Sequence, residues 1–86
     1  MKIRIVFTGR GYDAGAELPP QLELPAGATT VAALQEIRRR LPADRDLPPS
    51  CLVAVQGRHL GTVGGHAPRE LRDGEELVLI APVAGG

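Results

Sequence analysis

Residues 71–86 read Leu71-Arg72-Asp73-Gly74-Glu75-Glu76-Leu77-Val78-Leu79-Ile80-Ala81-Pro82-Val83-Ala84-Gly85-Gly86. Asp73-Gly74 is a strong turn signal, and Glu75 to Ile80 after it reads as a strand. Four consecutive apolar residues, Leu77 to Ile80, predict a strand covered on both faces, as a central strand is. Pro82 then leaves the strand. Two terminal glycines have no side chain to bury and lose more backbone entropy on ordering than any other residue. Residues 82–86 are therefore expected to form a flexible arm with a carboxylate at its tip, able to thread a channel too narrow for a side chain. A frayed end is the competing expectation, and the rest of the chain weighs between them.

Working outward, residues 2–8 alternate with period two. Ile3, Ile5 and Phe7 face a core while Lys2, Arg4, Val6 and Thr8 face away, which is a strand. Gly9 to Gly15 is a turn-rich loop, and Pro19-Pro20 bars helix before residue 21. Gln21 to Leu24 alternates again, so the first two strands make a hairpin. Pro25-Ala26-Gly27-Ala28 breaks the strand, and Thr29 or Thr30 suits a helix N-cap. Val31, Leu34, Ile37 and Leu41, with Ala33 beside them, form the apolar stripe of an amphipathic helix of about three turns. Arg38, Arg39 and Arg40 lie near its C-terminus, where the macrodipole favours positive charge, and Pro42 ends it.

Asp44, Asp46, Pro48 and Pro49 mark residues 43–50 as a rigid exposed connection. Cys51 to Val55 reads as a strand and Gln56-Gly57-Arg58 as a tight turn, with Gly57 supplying positive φ. His59-Leu60 suits a short return strand, and Gly61 to Pro68 a loop.

The chain has 86 residues, which suits one domain: residues 1–81, followed by the arm at 82–86. Phe7 and Tyr12 are its only aromatics, so the core is built from Leu, Val, Ile and Ala. Ten basic and ten acidic residues cancel, so no whole-molecule field favours nucleic acid. A single cysteine, Cys51, makes an intramolecular disulfide impossible. The absence of a signal-peptide pattern or a long apolar run leads to the expectation of a soluble cytoplasmic protein with no membrane partner.

The order strand, strand, helix, strand, short strand, strand places one helix on one mixed sheet of four to five strands, an α+β architecture. With the last strand beside the first in mid-sheet, it is the β-grasp, the fold of ubiquitin.

On this order, the chain resembles the MoaD/ThiS family of ubiquitin-like sulfur carriers. Leu71 to Leu77 resembles the family's leucine, Asp-Gly turn and last strand, and Val53-Ala54-Val55-Gln56-Gly57 its strand and turn. Ala81-Pro82-Val83-Ala84-Gly85-Gly86 is similar to the Pro-Pro-Val-Ala-Gly-Gly ending of the molybdopterin synthase small subunit. Leu79-Ile80 stands where that subunit usually has aromatics, and Ala81 where it has the first proline.

The resemblance implies that Gly86 is adenylated with ATP and Mg²⁺ by an E1-like enzyme of the MoeB/ThiF type. Sulfur from a sulfurtransferase then converts it to a thiocarboxylate, used by a MoaE-like large synthase subunit or another sulfur-accepting enzyme. It implies a non-catalytic co-substrate, with ATP and Mg²⁺ bound by the activating partner. Pro82, Val83, Ala84 and Gly85 would thread the partner's channel, and with Gly86 already terminal no proteolytic maturation is expected.

A docking face is expected opposite the helix at Ile80, Val78 and Val6, with Glu75 and Glu76 meeting arginines of a partner. Each of these residues also has an ordinary structural explanation. Other outlets for the sulfur are thiamine, thiolated tRNA and cysteine synthesis. A protein modifier forming isopeptide bonds through Gly86, or a binding module with an incidental tail, are the alternatives in other classes.

Remaining features are expected to be structural. Cys51 reads as a small core residue. His59 and His66 lack a second ligand pair, so no metal site is expected. Gly64-Gly65 reads as a flexible loop. Arg38 to Arg40 reads as a solvated helix end without the aromatics that stack on nucleic acid.

Overall fold

In the computed structural model, residues 1–8, 20–41, 47 and 50–81 are described. Strand β1 (Lys2–Thr8) pairs antiparallel with β2 (Gln21–Glu23), with Ile3 opposite Leu22. The helix α1 (Thr30–Arg40) follows, then β3 (Leu52–Val55), β4 (Arg58–Thr62) and β5 (Glu76–Ile80). The sheet order is β2-β1-β5-β3-β4. β5 lies parallel to β1, with Ile5 beside Leu77 and Thr8 beside Ile80, and antiparallel to β3. One helix on a mixed five-stranded sheet with the first and last strands parallel at its centre is the β-grasp arrangement.

The period-two pattern explains where the core sits. Ile3 and Ile5 from β1, Leu22 from β2, Val53 and Val55 from β3, and Leu77 and Leu79 from β5 share one face of the sheet. They form a single buried cluster with Ala33, Leu34 and Ile37 of α1. Phe7 packs partly buried against it. Burying a Leu, Ile or Val side chain contributes about 1.5–3 kcal/mol, so this aliphatic layer is the main source of stability.

α1 starts where the sequence predicts. The Thr29 hydroxyl accepts from the Ala32 N–H at 3.4 Å, and Arg38, Arg39 and Arg40 lie in the last turn. Glu36 pairs with Arg39 at 3.1 Å and with Arg40 at 3.3 Å.

The buried stripe is rotated from the one predicted. Thr30, Ala33, Leu34 and Ile37 are buried, while Val31 is 39% exposed. At about 100° per residue, Thr30, Leu34 and Ile37 fall within an arc of roughly 60°, and Val31 lies about 90° from its middle. Thr30 enters the core because its hydroxyl is fully hydrogen-bonded: it meets His66 Nε2 at 2.8 Å and accepts from the Arg69 N–H at 3.2 Å.

Three further expectations change. β5 is not covered on both faces: Leu77 and Leu79 are buried, whereas Val78 and Ile80 are half-buried. Central pairing closes the edges of β5, but α1 covers only one face. The connection after α1 is not wholly exposed, because Leu47 turns into the core at 2% exposure. The return strand is longer than His59-Leu60 and takes in Gly61 and Thr62.

The β3–β4 turn has Gln56 at φ +50° and Gly57 at φ +78°, the two-residue type I′ geometry that matches strand twist. Further along β4, Ala54 faces His59 and Val53 faces Gly61, so Leu60 is an extra residue and the strand bulges. Gly61 has φ +131°, and a Cβ there would lie 3.0 Å from Gly65 O. No helix among the described residues is long and apolar enough to cross a membrane.

Candidate functional site

The face of the sheet away from α1 is set by the same alternation. Val6 and Val78 are register partners, as are Thr8 and Ile80. On the other side of β5, Ala54 pairs with Val78 and Leu52 with Ile80. Val6, Val78, Ile80, Leu52 and Ala54 therefore form one apolar patch across β1, β5 and β3. Leu52 is 40% exposed, Val6, Val78 and Ile80 are half-buried, and Ala54 is buried between larger neighbours.

The expected docking residues Ile80, Val78 and Val6 are thus neighbours on one surface. Leu52 was not anticipated. Its signal is the alternation itself: with Val53 and Val55 in the core, Leu52 and Ala54 must point the other way.

The two glutamates have different environments. Glu76 begins β5 on the patch face, and its carboxylate lies 3.7 Å from the Arg4 guanidinium in an exposed cross-strand pair. Its N–H donates to the Gln56 side-chain oxygen at 2.8 Å.

Glu75 is turned inward. Two Arg69 N–H groups donate to its oxygens at 3.2 and 2.9 Å, and the Arg72 N–H donates to it at 2.6 Å. The Arg69 bonds hold the Glu75 carboxyl below the usual glutamate range, against the opposing effect of burial. What this carboxylate visibly does is fix the turn that launches β5.

That turn is also tied to β1. Asp73 Oδ1 accepts from the Lys2 N–H at 2.7 Å, and the Gly74 N–H donates to Lys2 O at 2.8 Å. Residues 69–71 run beside the start of α1: the Thr30 N–H donates to Arg69 O and the Leu71 N–H to Ala28 O. His66 completes the seam. Its Nδ1 lies 2.9 Å from Thr62 O, which can only accept, so Nδ1 donates there, and Nε2 lies 2.8 Å from the Thr30 hydroxyl.

At the far end of β5, Ala81 is buried at 4% exposure and its N–H donates to Thr8 O at 2.8 Å. The chain leaves the sheet beside the patch. Pro82, Val83, Ala84, Gly85 and Gly86 lie outside the described residues, as do Gly9 to Pro19.

A model of the ThiS family matches residues 14–86, spanning the helix, the last three strands and the terminal glycines. The chain belongs to the ThiS family. No match is found among curated proteins. A ThiS-family chain is a sulfur carrier, a non-catalytic co-substrate that binds no cofactor itself and is activated by an E1-like partner. Among the described residues no group of three or more His, Cys, Asp or Glu could hold a metal ion. His59 is exposed on β4. Cys51 is fully buried, where desolvation pushes its thiol up, partly offset by a backbone hydrogen bond at Ile80.

Proposed function

We propose that this ThiS-family carrier delivers sulfur for molybdopterin, the organic part of the molybdenum cofactor, as the small subunit of a synthase. In this reading residues 1–81 are the docking domain, and residues 82–86 are the arm that carries the reacting group. The observation supporting this most strongly is the Ala81-Pro82-Val83-Ala84-Gly85-Gly86 sequence, which follows directly on the central strand β5, whose Ile80 lies in the apolar patch.

In this role an E1-like enzyme uses ATP and Mg²⁺ to convert the Gly86 carboxylate to an acyl-adenylate, releasing pyrophosphate. Adenylation is needed because oxide is a poor leaving group and AMP a good one. Sulfide then displaces AMP to leave the thiocarboxylate. If the donor is the persulfide of a sulfurtransferase, displacement gives an acyl disulfide, and a thiol reduces its S–S bond. Gly85 and Gly86 pass the channel because they have no β-carbon, and Pro82 restricts the chain leaving the sheet. Ile80, Val78, Val6 and Leu52 supply the apolar contact with the partner. Glu76 supplies a carboxylate for a partner arginine, while Glu75, held by Arg69, supports the strand from behind. The setting is cytoplasmic.

Mass spectrometry of the chain from its native host tests this. Replacement of one oxygen by sulfur at Gly86, with co-purification of a large synthase subunit, is the expected result. Transfer of sulfur to thiazole, tRNA or a cysteine precursor would redirect the pathway. High-mass conjugates surviving denaturation would replace the carrier role by protein modification.

A further inference from the structure

We propose that the turn at residues 63–66, fastened by His66, covers the open edge of the sheet and keeps a second copy of this chain from adding its own β4 there. The proposal does not depend on which pathway receives the sulfur.

β4 pairs with β3 alone and is an edge of the sheet. Along an antiparallel ladder, backbone groups point alternately to the partner strand and away from it. The Val63 N–H donates to Cys51 O at 2.8 Å, so Val63 faces β3 and Thr62 before it faces out. Arg58 closes the two-residue turn opposite Val55, so His59 faces out as well. The bulge at Leu60 does not spoil their spacing. His59 and Thr62 oppose Ala54 and Leu52, two residues apart on β3, the interval at which an added strand is bonded.

That edge is self-complementary. With two copies antiparallel about a two-fold axis, His59 of each lies opposite Thr62 of the other, and both pairs exchange N–H···O bonds. Both residues share the face of their partners Ala54 and Leu52, so the pairing would also join the two apolar patches into one. The occupant that fits this edge is therefore a second copy.

The native turn takes away a group that this pairing needs. Thr62 O already accepts from the Gly65 N–H at 3.2 Å and from His66 Nδ1 at 2.9 Å. The turn also lies tight against the strand: a Cβ on Gly61 would stand 3.0 Å from Gly65 O and from His66 Cα. Through Nε2 the same ring lies 2.8 Å from the hydroxyl of Thr30, a fully buried residue at the start of α1. His66 thus ties the turn to both the edge strand and the helix. Covering an edge with a loop is one of the ways in which a sheet avoids strand addition.

Analytical ultracentrifugation of the full chain and its variants, with circular dichroism to identify those that fold, tests this. His66→Ala removes the fastening and should strengthen self-association at least about tenfold, the factor that corresponds to about one net backbone hydrogen bond. His66→Asn should associate no more than the native chain, because an asparagine N–H can take the place of the Nδ1 donor. Adding His59→Pro to His66→Ala should abolish the gain, since proline offers an added strand no N–H while an outward position leaves the β3–β4 bonds intact.

A dimer of the native chain or of His66→Asn would overturn the proposal, as would a folded His66→Ala that stays monomeric. Association that survives His59→Pro would place the contact on the apolar patch and sink the edge. Hydrogen exchange of the native chain reads the turn without any substitution, and decides the matter if His66→Ala does not fold. The Gly65 amide should be protected, and rapid exchange there would show the edge already open.

Discussion

Arg69 and Glu75 form a two-pronged ion pair, with N···O distances of 3.2 and 2.9 Å, at the turn that launches the central strand. Only 12% of the Glu75 side chain is exposed, so the pair is better shielded than the exposed Arg4–Glu76 contact across the sheet. Charge-assisted bonds of this kind typically contribute about 1.5–3 kcal/mol, and exposed pairs under about 1 kcal/mol.

Glu75→Gln should therefore destabilise the fold by about 1–3 kcal/mol in denaturant titrations at pH 7. Because the folded-state carboxyl titrates lower than the unfolded one, its contribution is present above the unfolded value of about 4.3. It is lost as pH falls through the folded value. The difference between native chain and variant should shrink on acidification, and a constant difference down to pH 2 would contradict the assignment.

Thr30→Val replaces a buried hydroxyl by a methyl and leaves the Arg69 N–H and His66 Nε2 without partners. A loss of about 1–3 kcal/mol is expected. In a double-mutant cycle with His66→Ala, coupling of at least about 0.5 kcal/mol should appear, and additivity would exclude the hydrogen bond as the link.

Gly57 and Gly61 separate backbone strain from crowding. Both have positive φ, but a Cβ at Gly57 meets nothing within 4 Å, whereas one at Gly61 meets Gly65 O and His66 Cα at 3.0 Å. Gly57→Ala should cost about 1 kcal/mol and Gly61→Ala about 3 kcal/mol by thermal unfolding. Equal costs would mean that the β4 bulge relaxes freely.

Cys51 should resist thiol reagents in the native state. Its side chain is fully buried and its thiol is pushed up, so both access and thiolate are scarce. Labelling at pH 8 should be at least about 100-fold slower than in the guanidinium-unfolded chain, since it waits on opening of the fold. Comparable rates would show local opening at the start of β3.

Leu52→Glu tests the apolar patch without disturbing the core, since Leu52 is 40% exposed and faces away from α1. Stability should change by less than about 1 kcal/mol, while KM for the activating enzyme rises about tenfold or more. An unchanged KM would place docking elsewhere.

The sequence by itself determined β1, the position of α1, the Asp73-Gly74 turn, the last strand and the glycine ending. Period-two alternation, the 3.6-residue repeat, capping and turn chemistry all act between near neighbours, so they can be read along the chain. Val31 shows the limit of that reading, because an apolar residue near a helix start does not reveal which side of the stripe the sheet will cover.

Only the tertiary structure decided that Leu52 would join Ile80, that Leu47 would enter the core, and that Glu75 would turn to Arg69 while Glu76 stayed on the open face. It also decided that Thr30 would meet His66 across 36 residues and that Thr8 would hold Ala81. Each depends on β5 lying between β1 and β3, a pairing of distant segments. Burial of the aliphatic face drives that pairing, and backbone bonds along both edges of β5 set its register. The glycines at 85 and 86 can be read as an arm from their chemistry alone. The place where the sheet holds its base emerges only once the first and last strands lie side by side.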